Sequence, residues 1–338
     1  MKTYHIPIFV PHKGCPHDCV FCNQRKITGK SIDTTGEDVI RITEENLATF
    51  SGEYDAQIAF FGGSFTGIEI SKQTELLEAA YKYIVSGKVS GLRCSTRPDY
   101  INDEILKNLK KYAMGCVELG VQSTDAQVLK LSNRGHDFED VQKAAQLLGD
   151  YGIDMGVQMM LGLPGDTFQK SIKTAEDLIS LNPSCVRIYP TLVVPDTALY
   201  TQYMRGEYEP MTLDDTVELL SEIIPMFESN NIDIIRVGLQ TTDEINAHTV
   251  KGPYHPAIRE LAEGRIIRKV IEKSLHNENK LEIYCNSSRV SQAIGHQKCN
   301  KKYFNDKYGL DMTVYADGSI DRNILKINDK IVEIYCKV

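Results

Sequence analysis

No stretch of this 338-residue chain approaches the run of ~18 apolar residues that a membrane-crossing helix needs. The opening Met1-Lys2-Thr3-Tyr4-His5 has no signal-peptide apolar segment, so the sequence predicts a cytosolic protein without a membrane partner. Internal repeats and low-complexity tracts are absent, which excludes solenoids and linker-like chains. Positive charge is in deficit: 38 Lys and Arg face 46 Asp and Glu, a net charge of −8. That balance counts against a nucleic-acid-coating protein and leaves room for a local basic patch.

The nine cysteines are odd in number and unevenly spread, unlike a secreted disulfide framework. Cys94, Cys116 and Cys185 stand inside apolar runs, where a thiol is ordinarily a small buried hydrophobe. Three others lie in Cys15-Pro16-His17-Asp18-Cys19-Val20-Phe21-Cys22, spaced C-x3-C-x2-C, with no fourth cysteine nearby. Thiolates so close lie on one short loop and can converge on one inorganic centre. A cluster that only carries electrons usually has four protein ligands, whereas a catalytic centre keeps a position open. Three cysteines would bind three irons of a [4Fe-4S] cluster and leave the fourth to chelate a small molecule. Structural zinc, with His12 or His17 as fourth ligand, is the other reading of the spacing.

The chain alternates strand with helix. Strands are expected at Tyr4–Val10, Ala56–Phe61, Gly91–Thr96, Gly115–Val121, Ile153–Met160 and Cys185–Tyr189. Helices follow at Thr35–Phe50, Lys72–Tyr83, from Asn102 to Leu109, at Asp125–Leu131 and Phe138–Leu148, at Phe168–Ser180 and at Thr212–Phe227. Continuous apolar strands in such an alternation argue for a parallel sheet covered by helices. Ile232–Val237 reads as a further strand, and short strands and a helix beyond it suggest a smaller unit. The expected domains are 1–240, a parallel β/α unit, and 241–338, a C-terminal α/β appendage.

The cysteine spacing, with Phe21 before the last thiol, resembles the signature of the radical S-adenosylmethionine (SAM) superfamily. The resemblance implies an open six-unit partial barrel of that family's type, with its site at the C-terminal ends of the strands. It also implies a [4Fe-4S] cluster on Cys15, Cys19 and Cys22 whose open iron chelates SAM. Reductive cleavage would give a 5′-deoxyadenosyl radical, with electrons from a reductant such as flavodoxin or ferredoxin.

The strand ends carry further resemblances. Phe60-Phe61-Gly62-Gly63-Ser64 is similar to the family's glycine motif, and paired glycines let backbone approach a ligand closely. In Cys94-Ser95-Thr96-Arg97-Pro98-Asp99 the proline forces Arg97 out of helix geometry. The Thr-Arg-Pro-Asp run resembles the Elongator catalytic subunit, the radical enzyme of wobble-uridine tRNA modification. Ser95 stands where relatives often carry an acidic SAM contact. By the same resemblance Gln122 and Gln158 would contact the ribose, Arg134 would pair with the SAM carboxylate, and Tyr189 would face the substrate. A guanidinium offers a carboxylate the planar fork that the Arg134 role needs.

Lys251-Gly252-Pro253-Tyr254-His255-Pro256-Ala257 resembles a segment of short bacterial Elongator-like proteins. No stretch after residue 260 has the length of an acetyltransferase domain, so that half of the Elongator chemistry is not expected. His296 to Phe304 mixes basic groups with two aromatics, which suits either RNA phosphates and stacked bases or a solvated amphipathic helix. Cys285, Cys299 and Cys336 are too dispersed to suggest a second cluster. The leading expectation is a radical SAM enzyme acting on tRNA. The alternatives are a small-molecule or peptide substrate, a non-catalytic metal-stabilised binding module, and an electron carrier.

Overall fold

The computed structural model describes residues 2–10, 18–22, 34–239, 249–276 and 278–335. Strand β1 (Lys2–Val10) buries Ile6, Ile8 and Val10, the period-2 pattern of a pleated strand. It pairs in parallel with β2 (Tyr54–Gly62), with Val10 opposite Gly62. β3 (Gly91–Thr96), β4 (Met114–Gln122) and β5 (Asp154–Leu161) follow, each parallel to its predecessor. The sheet continues through β6 (Cys185–Pro190) to β7 (Asp233–Val237), in the order β1-β2-β3-β4-β5-β6-β7. The parallel sheet inferred from the alternation, and the open barrel implied by the resemblance, are thus present, extended by one strand, β7.

Most helices of the first unit begin where a short polar side chain satisfies an orphan N–H group. Thr35 and Asp38 form a capping box on Gly36–Leu47, and Asp137 and Asp140 form another on Phe138–Asp150. Asn102, Asp125, Thr167 and Thr212 cap the helices Asp103–Lys111, Ala126–Leu131, Phe168–Ser180 and Leu213–Ser229. These caps stop the strand-to-helix loops that carry them at a fixed residue.

Two compact units divide the chain, one of Met1–Arg187 with Val193–Glu209 and one of Ile188–Leu192 with Pro210–Val338. In the second, helix Leu213–Ser229 packs on helix Ile258–Ser274, with Arg265 on Asp214 and Lys269 on Glu222. A four-stranded sheet follows: β8 (Leu281–Cys285), β9 (Met312–Ala316), β10 (Ile324–Ile327) and β11 (Lys330–Glu333), in the order β11-β10-β8-β9.

The helix Cys299–Tyr308 takes most of the polar stretch at 296–304. Phe304 is fully buried, and Tyr303 donates to Glu272 at 2.7 Å under the Arg268 guanidinium. Phe304 is thus closed to base stacking, the half-buried Tyr303 is engaged by Glu272 and Arg268, and the helix reading of this stretch holds. Cys94, Cys116 and Cys185 are buried thiols, as their apolar surroundings suggested. Cys285 is buried on β8, Cys299 is exposed, and Cys336 lies outside the described residues.

Candidate active site

The cysteine loop enters the described structure at Asp18. Cys22 N–H donates to the Cys19 carbonyl at 2.9 Å, a single turn that sets the two thiols on one short arc. The loop is tied down from afar: Val20 N–H reaches Ser132 O at 3.2 Å, and Asn133 Nδ2 donates to Asp18 O at 2.9 Å. Val20 also packs with Val193, Leu199 and Tyr208. Cys15, His12 and His17 lie outside the described residues. Among the described residues no three cysteine, histidine or carboxylate side chains gather as a metal site.

Beside this loop is a cavity of about 140 Å³. Its lining includes Cys19, Cys22, Gly62 and Gly63, and with them Ser95, Gln122, Arg134 and Gln158. Each described residue that the sequence nominated for the cluster or for SAM is therefore on one wall or another of a single cavity.

Each gets there for a physical reason. Gly62 closes β2 at φ +109°, and a Cβ there would lie 2.4 Å from the Phe9 ring and 2.8 Å from Val10 O. Only glycine fits that backbone. Gly63 N–H then donates to Val10 O at 3.0 Å. Ser95 lies on β3 opposite Glu118 of β4. Gln122 ends β4 at φ +73°, just past a register shift between Gly120 and Gln122. Left-handed backbone on a side-chain-bearing residue is a local strain that tends to collect at functional sites. It brings the Gln122 Oε1 to Gln158 Nε2 of β5 at 3.1 Å, so the two glutamines form one polar wall.

Arg134 is the most informative group. It is 6% exposed, and burial pulls its pKa below the usual arginine value. Nη2 donates to Gly120 O at 2.5 Å and Nη1 to Cys19 Sγ at 3.4 Å, while the buried Nε has no partner among the described residues. Arg97 fixes it in place. Arg97 forms a bidentate pair with Asp99 at 2.9 and 3.0 Å and donates to the Arg134 carbonyl at 2.5 Å. The Thr-Arg-Pro-Asp run thus builds the support for Arg134, a role that sequence reasoning did not assign.

Glu118 was missed as well. It lines the cavity, 2% exposed, in the middle of an apolar strand. Arg187 grips both oxygens at 2.5 and 3.3 Å, and Arg93 lies 3.2 Å away. Arg93 also donates to His5, Cys116 and Cys185 at 2.8, 3.3 and 3.6 Å. Burial, with the Arg93 and Arg187 charges, draws His5 down to about 4. The hydrogen bond between the two thiols lowers Cys185 and raises Cys116. A charged residue inside a continuous apolar run was the available signal for this buried network.

The chain matches the Radical SAM superfamily over residues 9–178 and a Radical SAM C-terminal domain over residues 183–268. The chain belongs to the radical SAM superfamily. It is an enzyme of that family, and its cofactors are a [4Fe-4S] cluster and SAM. It is 32% identical over 235 residues to an uncharacterised protein of Methanocaldococcus jannaschii, covering 66% of this chain and 71% of that one. Against the tRNA uridine(34) acetyltransferase of Methanocaldococcus infernus it is 32% identical over 185 residues, 49% of this chain. That match spans only 35% of the acetyltransferase. The solved structure of archaeal Methanocaldococcus infernus Elp3, with an N-terminal deletion, shares the fold at a TM-score of 0.62. Identity there is 23%, over 80% of this chain and 63% of that one. No helix among the described residues is long and apolar enough to cross a membrane.

The cavity's residues fit the family's cofactors. Two soft sulfur donors stand next to a buried guanidinium that has no carboxylate partner among the described residues, which matches a thiolate-bound cluster and an incoming carboxylate.

Proposed function

We propose that this radical SAM enzyme acts on tRNA, and that Cys15, Cys19 and Cys22 hold three irons of its cluster. Arg134 binds the SAM carboxylate through its planar fork. Gly62 and Gly63 give the amino group a backbone edge, Ser95 donates and accepts beside it, and Gln122 with Gln158 takes the ribose. When bound, the cluster supplies the electron that cleaves the sulfonium C–S bond to give a 5′-deoxyadenosyl radical. The protein's own part is to orient SAM and to exclude water and oxygen. Glu118, ion-paired to Arg93 and Arg187, and the buried Arg134 tie neighbouring strands together at the cavity wall.

The observation that carries the site assignment is the Arg134 guanidinium, buried against Cys19 with Nε unpartnered. Leaving such a donor unmade is costly in a native structure unless a ligand completes it. The tRNA reading is supported by the name of the Methanocaldococcus infernus relative, a tRNA uridine(34) acetyltransferase, and it concerns the radical step alone. The electron donor in this reading is of the flavodoxin or ferredoxin kind.

Binding of purified tRNA to the reconstituted enzyme at rising salt tests the substrate. Affinity that falls as salt rises supports it, and no binding at low salt overturns it. A small-molecule or peptide substrate is the second reading, favoured by the net charge of −8.

A further inference from the structure

Two thiols that the SAM site does not use face each other across one strand of the first unit. Cys116 on β4 and Cys185 on β6 flank β5, and neither lines the SAM cavity. Both stand near the N-terminal starts of their strands, whereas the cysteine loop follows the C-terminal end of β1. Between them β5 offers Gly156, where a Cβ would lie 2.9 Å from Cys185 Sγ and 3.6 Å from Cys116 Sγ. The missing side chain leaves its space to the two sulfurs. One nitrogen, Arg93 Nη2, reaches both, at 3.3 Å for Cys116 and 3.6 Å for Cys185.

Their backbones are too far apart for the sulfurs to join directly. Neighbouring strands lie about 4.8 Å apart, so two spacings separate the β4 and β6 backbones by roughly 9–10 Å, beyond the ~7 Å that a disulfide spans. Both thiols are free. Sulfurs that meet while their strands stay apart suit a single bridging atom. Charge then defines that atom. Arg93 and Arg187 bring two positive charges to this buried network and Glu118 one negative charge, while His5, drawn down to about 4, is neutral at neutral pH. A surplus positive charge is costly to bury, and one negative charge on the sulfur pair cancels it. A thiolate and a thiol sharing one proton carry that charge. So do two thiolates sharing one monovalent cation.

We propose that Cys116 and Cys185 form a two-coordinate site for a soft monovalent cation, copper(I) being the ion of that class that thiolates select. Copper(I) takes the place of the shared proton. Two sulfur–copper bonds form, the Cys116 S–H proton leaves to solvent, no electron is transferred, and the net charge beside Arg93 is unchanged. Zinc is a poor fit, since it takes four ligands and no third histidine, cysteine or carboxylate among the described residues joins the pair as a metal-holding group. His5 and Glu118 are the nearest such side chains in the network, and Arg93 engages both, at 2.8 Å and 3.2 Å.

The test uses the full chain with its cluster assembled, so that the loop thiols are occupied, and copper(I) delivered anaerobically from a chelator as the probe. Wild type takes up one copper ion per chain more than the variant carrying Cys116→Ser and Cys185→Ser. Crystals of copper-treated wild type have an anomalous peak between the two sulfurs, a readout that needs no variant. Equal uptake by wild type and variant overturns the proposal, as does the absence of a peak between the sulfurs or a peak that a third protein ligand also holds. Zinc(II) offered in the same way leaves the pair empty, and zinc found on Cys116 and Cys185 overturns the two-coordinate assignment. None of these readouts needs SAM cleavage or tRNA, so the proposal can fail while the radical and tRNA readings stand, and the reverse.

Discussion

Arg134 Nη1 donates to the Cys19 sulfur at 3.4 Å, joining residues 115 positions apart. This contact puts beside the cysteine loop a cavity guanidinium that pairs with no carboxylate among the described residues, and the site assignment turns on it.

Arg134→Lys tests that geometry. Lysine keeps the charge and loses the planar fork, so SAM affinity measured by equilibrium dialysis falls by about tenfold or more. The cluster's visible absorbance persists, because the sulfur ligands are untouched. Equal affinity in the lysine variant contradicts the assigned role.

Gly62→Ala places a methyl into the Phe9 ring and against Val10 O, at φ +109°. Strain and overpacking each cost about 1–3 kcal/mol, so urea unfolding shifts to clearly lower denaturant. A variant as stable as wild type means that the β2 turn is looser than the structure shows.

Glu118→Gln leaves Arg93 and Arg187 buried without their shared carboxylate. Breaking a buried pair from one side costs about 3–5 kcal/mol, and the same measurement reads it. Replacing Arg187 as well, by methionine, recovers part of the loss because one uncompensated charge is removed with its partner.

His136 is 6% exposed and its Nε2–H donates to Val121 O at 3.2 Å. Burial, with the Arg134 and Arg97 charges, lowers it to about 3. The unfolded chain therefore takes up a proton near the ordinary histidine value of about 6.5, before the folded protein does. Stability contributed by the neutral ring is present above about 6.5 and is lost as pH falls from there toward about 3. The slope from one such group approaches about 1.4 kcal/mol per pH unit. His136→Asn has a shallower decline over this window, and an unchanged slope contradicts the assignment.

Much of the fold was legible because strand and helix patterns were long. Gly91–Thr96 and Phe168–Ser180 fall where their apolar runs and flanking residues place them. Some short elements were not read: Ala198–Met204, Val290–Ile294 and Ile324–Ile327 are too brief to show a clear period. At the site, cysteines and paired glycines were visible because their residue types are restricted by chemistry. Arg97 and Glu118 were not, since their work lies in contacts with residues 134, 93 and 187 that sequence order does not reveal. Gln122 was nominated by resemblance, but its left-handed backbone, which turns it toward Gln158, appears only in three dimensions.

The most direct test of the central claim is anaerobic reconstitution with iron and sulfide, then reduction and addition of SAM, with 5′-deoxyadenosine assayed for wild type and for Cys15→Ala, Cys19→Ala and Cys22→Ala. Wild type forms 5′-deoxyadenosine, and each alanine variant loses both the cluster and the product. Product formation by any of the three variants, or none by wild type carrying a full cluster, contradicts the account.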